Sequence, residues 1–208
     1  QDPRLRQLFA RYATYCGSSP LEAPATLSLI AQVEMDGVWS IDGGMQELVR
    51  CLARLCQQQG VTFRYQTTCE QILVKNGKIA GVSLASQEDL KADRVVFNGD
   101  ACALRQGLLG QATQRAVPTS KPPRSLSAVT WCMRTRTRGL RSMRQCGLHI
   151  EITRDNHVRN TPSHFHRRFP GTGGALYGQA THGWMSIFSR PGSISPIPGL
   201  FLAGGSVH

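Results

Sequence analysis

Long apolar runs are missing from this sequence. The longest, Val95-Val96-Phe97 and Leu200-Phe201-Leu202-Ala203, fall far short of the roughly 18 to 20 residues that a membrane-spanning helix requires, so no such helix is expected. The local signatures of several enzyme classes are missing too. There is no GxSxG, no HExxH and no Walker glycine loop, and neither Ser186 nor Ser206 has triad text around it; hydrolase and kinase chemistry have nothing to rest on. Seven cysteines, at 16, 51, 56, 69, 102, 132 and 146, include no CxxC pair. They are expected to be reduced, mostly buried small hydrophobes, which suits a cytoplasmic compartment. The opening residues Gln1-Asp2-Pro3-Arg4 show neither an initiator methionine nor the charged-then-apolar plan of a signal peptide, and they read as the middle of a larger protein.

Acidic residues are scarce beside basic ones. Asp and Glu number 13 against 24 Lys and Arg, a net charge of +11 over 208 residues. The excess is densest between Arg115 and Arg168, where Arg134, Arg136, Arg138, Arg141, Arg144, Arg167 and Arg168 fall. Such a stretch invites anions: nucleic acid, anionic lipid headgroups or a phosphate-bearing cofactor, which charge alone does not rank. Trp131 and Phe165 interleave with the arginines as in some RNA-binding surfaces, but the arginines do not line one helix face. With 40% apolar content, the chain is long enough to bury a core and fits one or two domains.

Local patterning points to an α/β fold. Between Gly43 and Gly60, Met45, Leu48, Val49, Leu52, Leu55 and Cys56 recur at helical spacing, with Asp42 or Gly43 beginning the helix and Gly60 suited to a left-handed cap. Val61-Thr62-Phe63-Arg64-Tyr65 then alternates as a strand does. In Ile72 to Val82, the Asn76-Gly77 pair marks a two-residue type I′ turn between antiparallel strands. Ala92 to Phe97 reads as a short buried strand ending at Asn98-Gly99-Asp100, where Asp100 is placed to cap a helix from Ala101 to Leu109. Gln111 to Arg124, with Pro118, Pro122 and Pro123, reads as a linker or exposed loop. Ser125 to Cys132 and the alternating Leu148 to Ile152 are further candidate strands. At the end, Pro196 to Gly199 is a turn and Leu200 to Ala203 a buried strand, and Gly204-Gly205 permits close backbone approach at the strand's C-terminal edge.

Several segments carry a family resemblance. Gly37-Val38-Trp39-Ser40-Ile41-Asp42-Gly43-Gly44-Met45, followed by the helix, the strand, the hairpin and Ala92-Asp93-Arg94-Val95-Val96-Phe97-Asn98-Gly99-Asp100, resembles the middle of phytoene-desaturase-type, amine-oxidase-like flavoproteins in order and spacing. Leu8-Phe9-Ala10-Arg11-Tyr12, Arg124-Ser125-Leu126-Ser127-Ala128 and Gly173-Gly174-Ala175-Leu176-Tyr177-Gly178 with Thr181-His182-Gly183 resemble the hydroxyneurosporene 3,4-desaturase branch of that family. Pro198 to His208 is similar to its C-terminal flavin-contact signature. Nearly all of the chain takes part, yet it covers about half of a full member. The N-terminal GxGxxG strand-turn-helix, which would seat the FAD pyrophosphate, and the final helix have no counterpart. Near Arg138 to Arg141 the text jumps forward, implying an internal deletion.

The resemblance implies a partial FAD-binding, Rossmann-like domain of the glutathione-reductase type plus a remnant of a substrate domain. Residues 1–36 would be a helical piece of the substrate domain, 37–110 the central FAD-domain segment with its hairpin, 111–195 the shortened substrate-domain piece, and 196–208 the C-terminal FAD-domain strand and glycine turn. Thr68 and Cys69 stand where the family's backbone meets adenine, Gly204 and Gly205 where it approaches the ribityl chain and phosphates, and Gly43 and Gly44 at the helix beside the flavin. Tyr177 and His182 are placed to line the substrate tunnel; as loop residues satisfied by backbone they need have no such role. The implied activity is FAD-dependent desaturation of an acyclic carotenoid by a peripheral membrane protein of the bacterial cytoplasm, with a quinone or oxygen as acceptor and no catalytic side chain required. Without the pyrophosphate turn the chain is expected to bind FAD poorly and to be weakly stable, with exposed strand edges and apolar faces. The rival expectation is a non-catalytic remnant or a basic module for anionic membrane surfaces or RNA. Among the histidines 149, 157, 164, 166 and 182, the pair His164 and His166 would share one face of a strand like a metal chelate. It lacks a Cys or Asp partner or a second pair, so no metal is expected.

Overall fold

The computed structural model describes residues 2–118, 124–125, 130–133, 157–182, 188 and 190–207. Two helices come first, α1 (Pro3–Ala10) and α2 (Ile30–Asp36), linked by short 3-10 turns at Arg11–Cys16 and Ala25–Leu29. Asp2 caps α1 by accepting the Arg4 N–H, and Pro3 sits in the first turn, where its missing donor costs nothing. The Glu34 carboxylate on α2 ties this unit together, accepting from Arg11, from the Tyr12 hydroxyl at 3.3 Å and from the Tyr15 hydroxyl at 2.8 Å. The Tyr15 hydrogen bond in particular holds the Glu34 carboxyl below its usual range.

Next comes α3 (Met45–Gln58). It begins later than the sequence suggests because Gly43 and Gly44 take φ of +82° and +84°, outside helical space, and Gly44 forms the cap through its backbone. Gly60 closes the helix in left-handed geometry, and the Val61 N–H returns to the Cys56 carbonyl at 3.0 Å. The apolar stripe is present but uncovered. No residue of α3 is buried, and Leu48, Leu52 and Leu55 are 41%, 53% and 53% exposed. The strand expected at Val61 to Tyr65 does not form. Among the described residues, none of the backbone N–H groups from Thr62 to Gln66 finds an acceptor, and alternation without a neighbouring strand makes no ladder. The alternation itself survives: Phe63 and Tyr65 stack with centroids 5.9 Å apart, while Arg64 turns away to Glu88 at 3.1 Å.

The remaining elements surround a small core. A three-stranded antiparallel sheet runs β1 (Cys69–Lys75), β2 (Lys78–Leu84) and β3 (Asp89–Lys91) in that order. Its first hairpin turns at Asn76-Gly77 with φ of +50° and +79°, the paired positive values of a type I′ turn. The short strand β4 (Val95–Phe97) pairs in parallel with a strand from the far end of the chain, Leu200–Leu202, matching Val95 with Leu200 and Phe97 with Leu202. Between them in sequence lie α4 (Ala101–Arg105), the antiparallel pair β5 (Thr130–Met133) and β6 (His157–Asn160), and α5 (Pro162–Arg168); Leu200–Leu202 is β7. Ile72, Ile79, Leu104, Ile197, Leu200 and Leu202 form the core, with Leu104 and Ile197 fully buried. The Ile79 N–H donates to the Pro198 carbonyl and the Val95 N–H to Gly199, each within 3.0 Å, so the C-terminal turn is stitched to both sheets.

Three expectations are corrected. Gln111 to Ala116 is a 3-10 turn with Thr113 and Ala116 buried, not a loose linker, because Ala116 joins the core with Leu104 while the Thr113 hydroxyl donates to the Gly110 carbonyl at 2.7 Å. The helix after Asp100 ends at Arg105, its last turn giving way to Gly107 and Gly110 at positive φ. Among the described residues the cysteines are free but not buried: Cys16, Cys56, Cys69 and Cys102 are half-buried and Cys51, on the uncovered α3, is exposed. Of the expected Ser125–Cys132 strand, Thr130 to Cys132 fall in β5, and residues 126–129 lie outside the described residues. Leu148 to Ile152 and Arg134 to Arg144 lie outside the described residues. No helix among the described residues is long and apolar enough to cross a membrane.

Candidate functional site

Parallel pairing delivers the ends of β4 and β7 to one edge, the place where open α/β sheets leave a crevice for ligands. From β4 come Asn98, Gly99 and Asp100; from β7 come Gly204, Gly205 and Ser206. The two turns are bolted together. The Ser206 hydroxyl accepts the Ala101 N–H at 3.0 Å and donates to the Gly99 carbonyl at 3.5 Å. Asp100 caps α4 through the Cys102 N–H at 2.8 Å, and its side chain, 5% exposed, pairs with Arg124 at 2.7 Å. Arg124 also donates to the Thr172 carbonyl at 2.6 Å, and the Ser125 N–H donates to the Gly178 carbonyl at 2.9 Å, so residues 124–125 strap the glycine-rich loop over the same edge.

The result is a cavity of about 520 Å³ walled by Thr68 and Cys69 from the start of β1, Asn98 and Asp100 after β4, and Gly204 and Gly205 after β7. Phe165, Arg168 and Phe169 of α5 and its exit close another side. The residues fit a dinucleotide. The volume lies in the range of cofactor sites, and the wall at the glycine turn is bare backbone. Gly204 holds φ of +107°, where a Cβ would stand 2.6 Å from the Asn98 Oδ1. Gly205 meets nothing nearer than 3.8 Å. Burial pushes the Cys69 thiol in the cavity wall up.

The structure thus brings together Thr68, Cys69, Gly204 and Gly205, separated by more than half the chain. The other candidates stand apart. Gly43 and Gly44 lie at the exposed start of α3, not in the cavity wall. Tyr177 is outside the cavity wall, its N–H donating to the Ser125 hydroxyl at 3.1 Å and its ring 3.8 Å from where a Cβ on Gly205 would stand. His182 faces Glu22 at 3.3 Å. His164 and His166 sit on α5 rather than on a strand, so two residues apart they diverge around the helix; His166 Nδ1 accepts the Gly173 N–H at 3.1 Å. His149 lies outside the described residues, and among those described no three His, Cys, Asp or Glu side chains gather as a metal site. Asn98, Asp100 and Ser206 also line the cavity, a place that no local motif in the sequence gives them. Their signal was positional: each follows a short apolar strand, and only the pairing of β4 with β7 shows that both strands end together. A second, mainly apolar cavity of about 770 Å³ lies among α1 and the following turns, lined by Phe9, Tyr12, Leu21 and Leu27. None of the candidate residues borders it.

A parallel-strand edge with a bare glycine turn across from the Thr68-Cys69 bend has the form of a cofactor site in an open α/β sheet, and the sequence profile of flavin-containing amine oxidoreductases matches residues 2–131. The chain belongs to that family, in which FAD is the cofactor of an intact member. At the level of individual proteins it is 42% identical over 289 aligned residues to the hydroxyneurosporene desaturase of Rubrivivax gelatinosus, taking in 100% of this chain and 55% of the relative. It is 34% identical over 284 residues to the protein of that name from Cereibacter sphaeroides, with 100% and 57% covered. A phytoene desaturase of Cercospora nicotianae is 35% identical over 131 residues, 62% of this chain and 21% of the relative. The chain therefore spans little more than half the length of the two hydroxyneurosporene desaturases. Both of those alignments are longer than the 208 residues of the chain, so part of each relative has no counterpart within it. That agrees with the internal shortening read from the sequence.

Proposed function

We propose that this chain carries the later half of the flavin site and part of the substrate face of a carotenoid desaturase acting on an acyclic carotenoid. The single observation behind the reading is the convergence of Thr68-Cys69 and Gly204-Gly205 on one cavity at the edge of the β4 and β7 pair. Bound FAD would supply the redox chemistry: two hydrogens leave adjacent carbons of the polyene, one as hydride to the flavin and one as a proton, and one more double bond joins the conjugated system. The work of the chain's own residues is placement. The backbone of Gly204 and Gly205 admits the dinucleotide, Thr68 and Cys69 bound the adenine end, the Ser206 hydroxyl holds both turns in register, and the Asp100–Arg124 pair ties the β4 turn to the glycine-rich loop. Residues 37–110 and 196–208 would form one FAD-binding unit, which the pairing of β4 with β7 supports.

The uncovered stripe of α3 and the unpaired extended segment after it support a chain that works as part of a larger polypeptide, since an isolated helix of this length is marginal in water. Docking to an anionic membrane surface, from which a polyene is drawn, is in keeping with the net charge of +11; a quinone or oxygen would then regenerate the flavin. Purification with added FAD, followed by flavin absorbance and addition of an acyclic carotenoid, tests the proposal. A stoichiometric yellow complex that bleaches anaerobically with the carotenoid supports it. A protein that stays colourless at saturating FAD, even when supplied with the first half of the Rubrivivax relative, overturns it.

A further inference from the structure

Arg190 is half-buried, and among the described residues it has no acidic partner. Its Nη1 donates to the Gly205 carbonyl, and its Nη2 donates to the Gln179 carbonyl at 3.2 Å and the Thr181 hydroxyl at 3.3 Å. The sequence between His182 and Arg190 contains no Asp or Glu. Among the described residues, the Arg190 guanidinium is held by neutral oxygens, those of Gly205, Gln179 and Thr181. Arg190 itself does not line the cavity that Gly204, Gly205 and Ser206 do.

The peptide group joining Gly205 to Ser206 is planar and trans, so its carbonyl and its N–H point in opposite directions. Fastening the Gly205 oxygen to the guanidinium turns the Ser206 N–H away from Arg190 and toward the cavity side of the turn. Ser206 is 8% exposed, and among the described residues its N–H has no acceptor, whereas the next N–H, that of Val207, returns to the Gly204 carbonyl at 3.3 Å. Buried backbone donors are nearly always paired. An idle one at a cavity wall, in a peptide whose carbonyl is held by a guanidinium, is a donor prepared for an anionic oxygen.

The geometry points to Arg190 as a positioning residue that locks the 205–206 peptide so that the Ser206 N–H receives a phosphate oxygen of the bound dinucleotide. This rests on the flavin reading given above. The test compares wild type with Arg190→Gln and Arg190→Lys. Fluorescence or calorimetric titrations use FAD, ADP and riboflavin as probes, and the Ser206 amide resonance is followed without ligand. Arg190→Gln should weaken FAD and ADP about tenfold or more while leaving riboflavin within about twofold, because only the phosphates are lost as partners. Arg190→Lys should recover part of that loss, and the Ser206 amide should shift and exchange faster in Arg190→Gln. Equal weakening of all three probes together with a lowered melting temperature overturns the assignment in favour of a merely structural arginine. An unmoved Ser206 amide overturns the positioning role whatever the probes do. A wild type that binds neither FAD nor ADP, with the amide shift still present, sinks the flavin reading and the phosphate with it but keeps the peptide lock.

Discussion

Gly204 and Gly205 are neighbours in sequence, yet adding one methyl group to each should have opposite consequences. At Gly204 the backbone sits at φ of +107°, a conformation L-residues rarely adopt, and a new Cβ would meet the Asn98 Oδ1 at 2.6 Å. The backbone strain alone is about 1–3 kcal/mol, and the contact adds to it only as far as the flexible Asn98 amide fails to swing aside. Gly204→Ala should therefore destabilise the chain by about 2–3 kcal/mol, a fall in melting temperature of roughly 4–12 °C for a chain of this size. Gly205 has no such φ, and its Cβ would make an ordinary contact, 3.8 Å from the Tyr177 ring. Gly205→Ala should leave stability unchanged or raise it by up to about 1 kcal/mol through the stiffer unfolded chain. Its cost should appear only against a ligand that needs the space, as a loss of FAD affinity of about tenfold or more, equivalent to about 1.4 kcal/mol. Thermal unfolding without ligand and FAD titration separate the two effects. If Gly205→Ala destabilises the empty chain as much as Gly204→Ala does, the geometry assigned to the turn is wrong. If it binds FAD as wild type does, the dinucleotide does not approach there.

Three further outcomes are expected. Arg124→Ala strands the Asp100 carboxylate, 5% exposed, and should cost about 2–3 kcal/mol in denaturant unfolding, less than a fully buried pair because Arg124 keeps contact with water; a loss under about 0.5 kcal/mol would mean the strap does not hold the site. The Glu34 carboxyl is held below its usual value of 4.5, first by the Tyr15 hydroxyl and then by Arg11. A lowered folded value means stability that is present above the unfolded value and lost as pH falls through the folded one, so the melting-temperature gap between wild type and Glu34→Gln should be open at pH 7 and narrow progressively as pH falls below 4.5; a gap that does not narrow there would remove the charge from the explanation. Leu104→Ala, at a fully buried position, should cost about 3–4 kcal/mol, whereas Leu52→Glu on the uncovered stripe should change stability by under about 0.5 kcal/mol. Unfolding caused by Leu52→Glu would show that α3 is covered in solution.

What the sequence settled by itself was local. The Asn76-Gly77 turn follows from backbone conformations that few residues tolerate, the α3 stripe from an apolar spacing of 3.6, and its end from a glycine able to take the left-handed cap. The family resemblance also lay in the sequence, because it rests on the order and spacing of motifs. Tertiary structure decided what depends on partners distant in the chain. Val61 to Tyr65 alternates like a strand but makes no ladder, since a strand exists only beside another strand. Gln111 to Ala116 looks like a linker but closes a core whose other wall comes from residues 197–202. The site belongs to the second kind. No local pattern shows that Thr68-Cys69 and Gly204-Gly205 share a cavity, or that Arg190 backs the glycine turn, because each rests on β7 crossing back to pair with β4, a contact between segments about a hundred residues apart.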